Sequence, residues 1–226
     1  IGIGRIGLPT ALSFAKSGFK TIGVDINEDL INKIREREFP LKDEPGYQEI
    51  FEEVINNGKF SATNKIEEVV PDSHIILLSL PTPMDENNIP DYTALRTVAK
   101  QLKNLVTNDS IIIIESTIEP GFVENEFIKF VENKERQIIV GKNIGIGVCP
   151  ETANPGEIMK DFESLPRLVA ATDENTSELI RDIYKHVFPV ELIQMPNCKT
   201  ANAVKLTTNV FRDVNIAFVN ELALLY

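Results

Sequence analysis

The chain has 226 residues, 42% of them hydrophobic and 25% charged, with a formal net charge of −11. That length serves one large domain, or one domain and the start of another. The acidic balance argues against a nucleic-acid partner, which basic stripes would have to hold, and no apolar run reaches the roughly 20 residues of a membrane span. Two cysteines, Cys149 and Cys198, are too few for a disulfide framework or a zinc site, so a reducing, cytoplasmic setting and no metal are expected.

In chain order, IGIGRIGLPTA (1–11) reads as the end of a strand, a glycine turn and the start of a helix that runs to about residue 17, with Gly18 as its cap. TIGVDI (21–26) is a short buried strand. Helical periodicity occupies 28–37 and 47–57, on either side of a Pro- and Gly-containing loop. A strand at 60–64 and a short acidic helix follow. HIILLSL (74–80) and SIIIIEST (110–117) are continuous apolar runs, as expected of parallel strands covered on both faces. Between them lie the loop PTPMDENNIPD (81–91) and a helix at 92–105. A helix begins after Pro120, and strands are predicted at 143–151, 166–172 and 190–195, the last two separated by a helix at 174–187. From 199 to 226 there is no Pro and no Gly, which predicts one long helix. Strand–helix alternation defines an α/β fold, a doubly wound, mainly parallel Rossmann-type sheet over 1–197, with the long connecting helix at 198–226. A strand reduced to two residues at the front and a helix without a stop signal at the back lead us to expect a sequence cut at both ends.

Gly2, Gly4 and Gly7 form G-x-G-x-x-G. The three glycines permit a tight turn, close approach of a pyrophosphate, and packing of the helix on its strand. The helix N-terminus behind them offers free N–H groups to phosphate. The spacing alone is common, but Asp25 closes the next strand 18 positions after Gly7, where a carboxylate can accept from both ribose hydroxyls. It would repel a 2′-phosphate, and no arginine follows it directly, so NAD is expected rather than NADP.

Ligands of parallel α/β sheets gather at the carboxyl ends of the strands. Here those ends carry residues 81–91, ESTIEPG (115–121) and CPETANPG (149–156). Lys205, Asn209 and Arg212 are spaced i, i+4, i+7 on one face of the last helix. From the spacing alone, a solvated polar stripe on an amphipathic helix is the favoured reading. His74 and His186, at element ends, read as structural.

Taken together, GIGRIGLPTA, LPTPMDENNIPD, ESTIEPG, CPE…PG and KLTTNVFRDVNIAFVNELA resemble, in the same order and over essentially the whole chain, the nucleotide-sugar 6-dehydrogenases. The resemblance is closest to the branch acting on UDP-N-acetylmannosamine or UDP-N-acetylglucosamine. It implies an NAD-binding domain, a helix at 198–226 that pairs two copies into a homodimer, and a UDP-sugar-binding domain beyond this sequence. It also implies oxidation of the sugar's 6-hydroxymethyl group to a carboxylate in two steps that consume two NAD⁺, through a thiohemiacetal and a thioester on a cysteine of that further domain. Neither Cys149 nor Cys198 matches that cysteine, so this chain alone is not expected to complete the reaction.

By the same resemblance, Lys205 stabilises the developing oxyanion and Asn209 assists as a donor. Glu151 handles a proton or the hydrolytic water, Thr117 orients a water and contacts the cofactor, and Arg212 holds the anionic part of the substrate. The cofactor set is Gly2, Gly4, Ile6, Gly7, Asp25, Thr82 and Thr117; the substrate set is Glu151, Lys205, Asn209 and Arg212. The chain departs from the family at Thr152, where an arginine is usual, at Asn202 in place of glutamate, at Thr208-Asn209 in place of Glu-Asn, and at Ala170-Ala171 in place of a Gly pair. Two alternatives stay open: a UDP-glucose 6-dehydrogenase, and a non-catalytic NAD-binding or dimerisation module.

Overall fold

In the computed structural model, which describes residues 1–154 and 156–226, helices and strands alternate from the glycine turn onward. Helix α1 (Gly7–Lys16) leads into β1 (Thr21–Val24), which pairs in parallel with β2 (Phe60–Thr63) after helices α2 (Glu28–Arg35) and α3 (Tyr47–Asn56). The second half follows α4 (Ile66–Val69). It contains β3 (Ile75–Leu78), α5 (Thr93–Leu105), β4 (Ser110–Ile114), α6 (Ile128–Val131), β5 (Ile144–Val148), α7 (Ile158–Ser164), β6 (Arg167–Ala171), α8 (Glu174–Val187) and β7 (Leu192–Gln194). Its strands lie in the order β3-β4-β5-β6-β7. Residues 1–3 run between the two sheets: the Gly2 N–H donates to the Val24 carbonyl at 2.8 Å, and the Ser79 N–H donates to the Ile1 carbonyl at 3.0 Å. A cavity of about 410 Å³ opens beside them, between the edges of β1 and β3, lined by Ile22, Val24, Ile76 and Leu77 among others.

The apolar runs behave as their composition requires. All five residues of β4 are buried. Ile112 and Ile114 join a core beneath α5 and α6, while Ile111 and Ile113 join a second core beneath α1, α3 and α8. Alternation of side chains across a pleated strand divides one isoleucine run between two layers. Two details differ from the sequence expectation. The helix after Pro120 opens as a π turn at Val123–Phe127 before becoming α6. The sheet is parallel except between β5 and β6, which run antiparallel. There the short α7 returns the chain to the same end of the sheet, so β6 starts where β5 stops.

The last helix, α9 (Cys198–Leu225), is capped by Asn197, whose side chain accepts from the Thr200 N–H at 2.8 Å. Its first turns pack on β5 and β6 with Cys198, Ala201, Asn202 and Lys205 buried; beyond them it projects into solvent. No helix among the described residues is long and apolar enough to cross a membrane.

Candidate active site

The glycine turn is built by close backbone contacts. Gly2 has φ +82°, and a Cβ on it would lie 2.7 Å from the Ser79 carbonyl oxygen. A Cβ on Gly7 would lie 1.8 Å from the Gly2 carbonyl oxygen. At Gly4, by contrast, a Cβ would meet nothing within 4 Å among the described residues, and the residue is exposed. No side chain caps the start of α1, where Ile6 is the N-cap residue. Open space in front of an uncapped helix N-terminus is the arrangement that accepts a phosphate. Asp25 ends β1 beside it, accepting from the Ile3 N–H at 3.0 Å and the Asn27 N–H at 2.9 Å. Each carboxylate oxygen thus retains capacity for a further donor. Ile26, next in sequence, is 95% exposed.

Arg5, inside the turn, ion-pairs with Asp43 and Glu44. Glu44 is 2% exposed and also accepts from the Gly156 N–H at 2.7 Å, which ties the turn to the loop after β5. Replacing Glu44 by alanine removes the acceptor from both partners. A loss of about 1–3 kcal/mol of stability is expected, measurable by urea denaturation.

The ends of β3 and β4 interlock. Thr82 Oγ1 donates to the Thr117 carbonyl at 2.9 Å, so these two expected residues meet. Beneath them Glu115 is fully buried, accepting from Ser79 Oγ at 2.6 Å and from the Tyr184 hydroxyl at 2.7 Å. Burial pushes its carboxyl above the ordinary range, partly opposed by the Arg167 charge and the two hydroxyl donors.

Lys205 lies near Glu151, just past the end of β5, without forming an ion pair with it. Lys205 is 8% exposed; burial lowers its ammonium below the usual lysine range, and the nearby Glu151 carboxylate opposes that shift. Glu151 Oε1 accepts from the N–H groups of Thr152 and Ala153 at 2.7 and 2.8 Å. Its Oε2 lies 2.5 Å from Arg167 Nη1, a contact too poorly aligned to count as a hydrogen bond and best described as an ion pair. Arg212 reaches across to the same loop, donating from Nη1 to Asn154 Oδ1 at 2.8 Å. Asn209 is half-buried and makes no side-chain hydrogen bond among the described residues. Of the expected trio on α9, then, Lys205 faces the strand ends from within, while Arg212 approaches from the exposed side. Pro155, part of the CPE…PG stretch, lies outside the described residues.

Both cysteines are buried, and burial pushes each thiol up to about 12. A thiol held protonated is a poor nucleophile. Among the described residues no group of three or more His, Cys, Asp or Glu is placed to hold a metal.

Sequence reasoning passed over four residues that shape this cleft: Ser79, Glu115, Glu44 and Arg167. Glu115 stood inside a quoted motif, and a carboxylate closing an isoleucine run was the signal. Arg167 looked like an ordinary strand opening. Asn202, at a departure from the family pattern, is buried with Nδ2 unpaired among the described residues.

The fold and the turn define a dinucleotide-binding α/β domain with a polar cleft at its strand ends. The chain matches the UDP-glucose/GDP-mannose dehydrogenase family, NAD binding domain, over residues 1–188, and it belongs to that family; its cofactor is NAD. It is 35% identical over 226 residues to the UDP-N-acetyl-D-mannosamine dehydrogenase of Methanocaldococcus jannaschii, covering 99% of this chain and 50% of that protein. It is 31% identical to protein CapL of Staphylococcus aureus, covering 100% and 51%. The solved UDP-D-ManNAc dehydrogenase of Pyrococcus horikoshii superposes with a TM-score of 0.92 at 32% identity, covering 99% of this chain and 52% of that one. The chain thus spans about half the length of the relatives it matches.

Proposed function

We propose that this chain is the NAD-binding part of a dehydrogenase that oxidises the 6-hydroxymethyl group of a UDP-N-acetylhexosamine, UDP-N-acetylmannosamine foremost, to the uronic acid in two two-electron steps. The observation that carries the reading is Lys205, a lysine buried at the carboxyl end of the sheet within electrostatic reach of Glu151. The names of the relatives support the choice of sugar.

NAD, when bound, supplies the two-electron acceptor. The backbone of Gly2, Gly4, Ile6 and Gly7 would hold its pyrophosphate and Asp25 its ribose, with exposed Ile26 offering the adenine an apolar surface. Thr82 and Thr117, already bonded to each other, would line the nicotinamide side. Lys205 would stabilise the oxygen on which charge develops, where removal from water strengthens the attraction. Asn209 would add a donor, Glu151 would handle a proton or the hydrolytic water, and Arg212 would bind the substrate's phosphates. The nucleophilic cysteine, on this reading, lies in a further domain, since Cys149 and Cys198 are sequestered.

The segment 198–226 is proposed as the helix that pairs two copies. Val210, Phe211, Val214, Phe218 and Val219 are all exposed along it, more apolar surface than a helix facing water alone would carry.

The test is the yield of NADH per mole of sugar, using the full-length protein with UDP-N-acetylmannosamine, UDP-N-acetylglucosamine and UDP-glucose in parallel. Two equivalents from one N-acetylhexosamine are expected; two from UDP-glucose alone would reassign the substrate, and none from any sugar would leave a cofactor-binding module. Asp25→Ala is expected to weaken NAD binding about 10- to 100-fold, the worth of one or two charge-assisted hydrogen bonds, by calorimetric titration.

A further inference from the structure

Arg167 is placed by topology. The β5–β6 ladder pairs Gly147 with Ala171 and Val148 with Ala170. Three residues further along, the same antiparallel register sets Glu151 opposite Arg167. Were β6 parallel to β5, its first residue would lie at the other end of the sheet. The guanidinium is 2% exposed and sits in the corner of two perpendicular rings, 3.9 Å from the Phe188 centroid and 4.3 Å from that of Phe162. Rings on two sides hold the cation by cation–π attraction without competing for its donors. Arg167 therefore has little freedom to turn, and its Nη1 meets Glu151 Oε2. The other Glu151 oxygen is held by two backbone N–H groups, so the carboxylate is restrained at both ends.

We propose that Arg167 is a positioning residue for the reaction, clamping the Glu151 carboxylate as an anion in one orientation facing Lys205. This rests on the dehydrogenase reading above. A carboxylate so restrained keeps one geometry through the reaction, so the clamp acts on the chemical step rather than on binding. The other ionisable groups that face the pair are Cys149 just past β5, Glu115 at the end of β4, Tyr184 from α8, Tyr47 from α3 and Lys205 from α9. Cys149 and both tyrosines are held protonated by burial, and Arg167 is the arginine that faces Glu151 within the core.

The test compares Arg167→Met, Arg167→Lys, Glu151→Gln and the double variant Arg167→Met/Glu151→Gln in the full-length protein. For Arg167→Met, kcat is expected to fall about 10- to 100-fold, the range seen when a supporting partner of an active group is removed. NAD affinity and the KM for the UDP-sugar should each stay within about two-fold, so that the loss falls on kcat. Arg167→Lys should recover part of the rate, and the double variant should be no slower than Glu151→Gln alone. A loss that falls on KM or NAD affinity instead of kcat, no recovery in Arg167→Lys, or losses that multiply in the double variant would overturn the proposal. If Arg167→Met fails to fold, the double variant, which leaves no lone glutamate charge there, still makes the comparison with Glu151→Gln. If the parent protein turns over no UDP-sugar, the dehydrogenase reading fails separately. A crystal structure of Arg167→Met then decides the clamp: a Glu151 carboxylate turned out of its parent orientation supports it, and an unmoved carboxylate ends it.

Discussion

Replacing Lys205 by methionine in the full-length protein is expected to lower kcat about 100- to 1,000-fold, the effect of removing one preorganised oxyanion partner, with NAD binding unchanged. Methionine keeps the apolar stem that packs in the first turns of α9 and deletes only the charge. The lysine is buried, and its ammonium is held below the ordinary lysine range mainly by desolvation, with Glu151 partly restoring it. Because the protonated form is the one that attracts an oxyanion, the parent enzyme should lose activity as pH rises through that lowered value. The methionine variant should lack that alkaline limb. Steady-state kcat across pH, with calorimetric NAD binding as the control, reads both effects. A variant that loses NAD affinity in step with kcat would show that Lys205 supports the fold instead. The linkage to stability has a defined sign. A lysine whose folded value is lowered binds fewer protons when folded, so its contribution becomes more favourable as pH rises.

The second large effect separates two glycines of one turn. Gly7→Ala forces a methyl to 1.8 Å from the Gly2 carbonyl oxygen, a clash with backbone that no rotamer relieves. It should cost about 3 kcal/mol or more of stability even without cofactor, measured by urea denaturation. Gly4→Ala meets open space, so the unliganded protein should melt as the parent does. On the proposed binding mode the added methyl stands where the pyrophosphate would approach, and NAD affinity should fall at least about 10-fold. A Gly4→Ala protein that binds NAD normally would mean the dinucleotide lies elsewhere. An unaffected Gly7→Ala stability would mean that the turn can open.

Much of this arrangement was legible from the residues. The glycine spacing, the aspartate closing β1, and the apolar runs of β3 and β4 are local patterns with local causes. A turn needs glycine where the backbone passes close to itself, and a strand covered on both faces has no polar side to show. The absence of Pro and Gly placed α9 equally well. The boundaries moved by one to three residues, because helix and strand ends are decided by caps and neighbours.

Sequence order alone therefore determined the class of fold, the cofactor turn and the set of polar strand ends. What the tertiary structure decided was which of those polar groups meet. The reversed direction of β6 is set by the short return through α7 and leaves no periodic mark in the sequence. That reversal brings Arg167, an unremarkable strand opening, opposite Glu151. Likewise Glu44 reaches Gly156 across 112 residues, and Tyr184 reaches Glu115 across 69. The physical reason is common to these pairs. Burying a charge is unfavourable unless a partner accompanies it, and the partner comes from whichever element packs alongside, however distant it is along the chain.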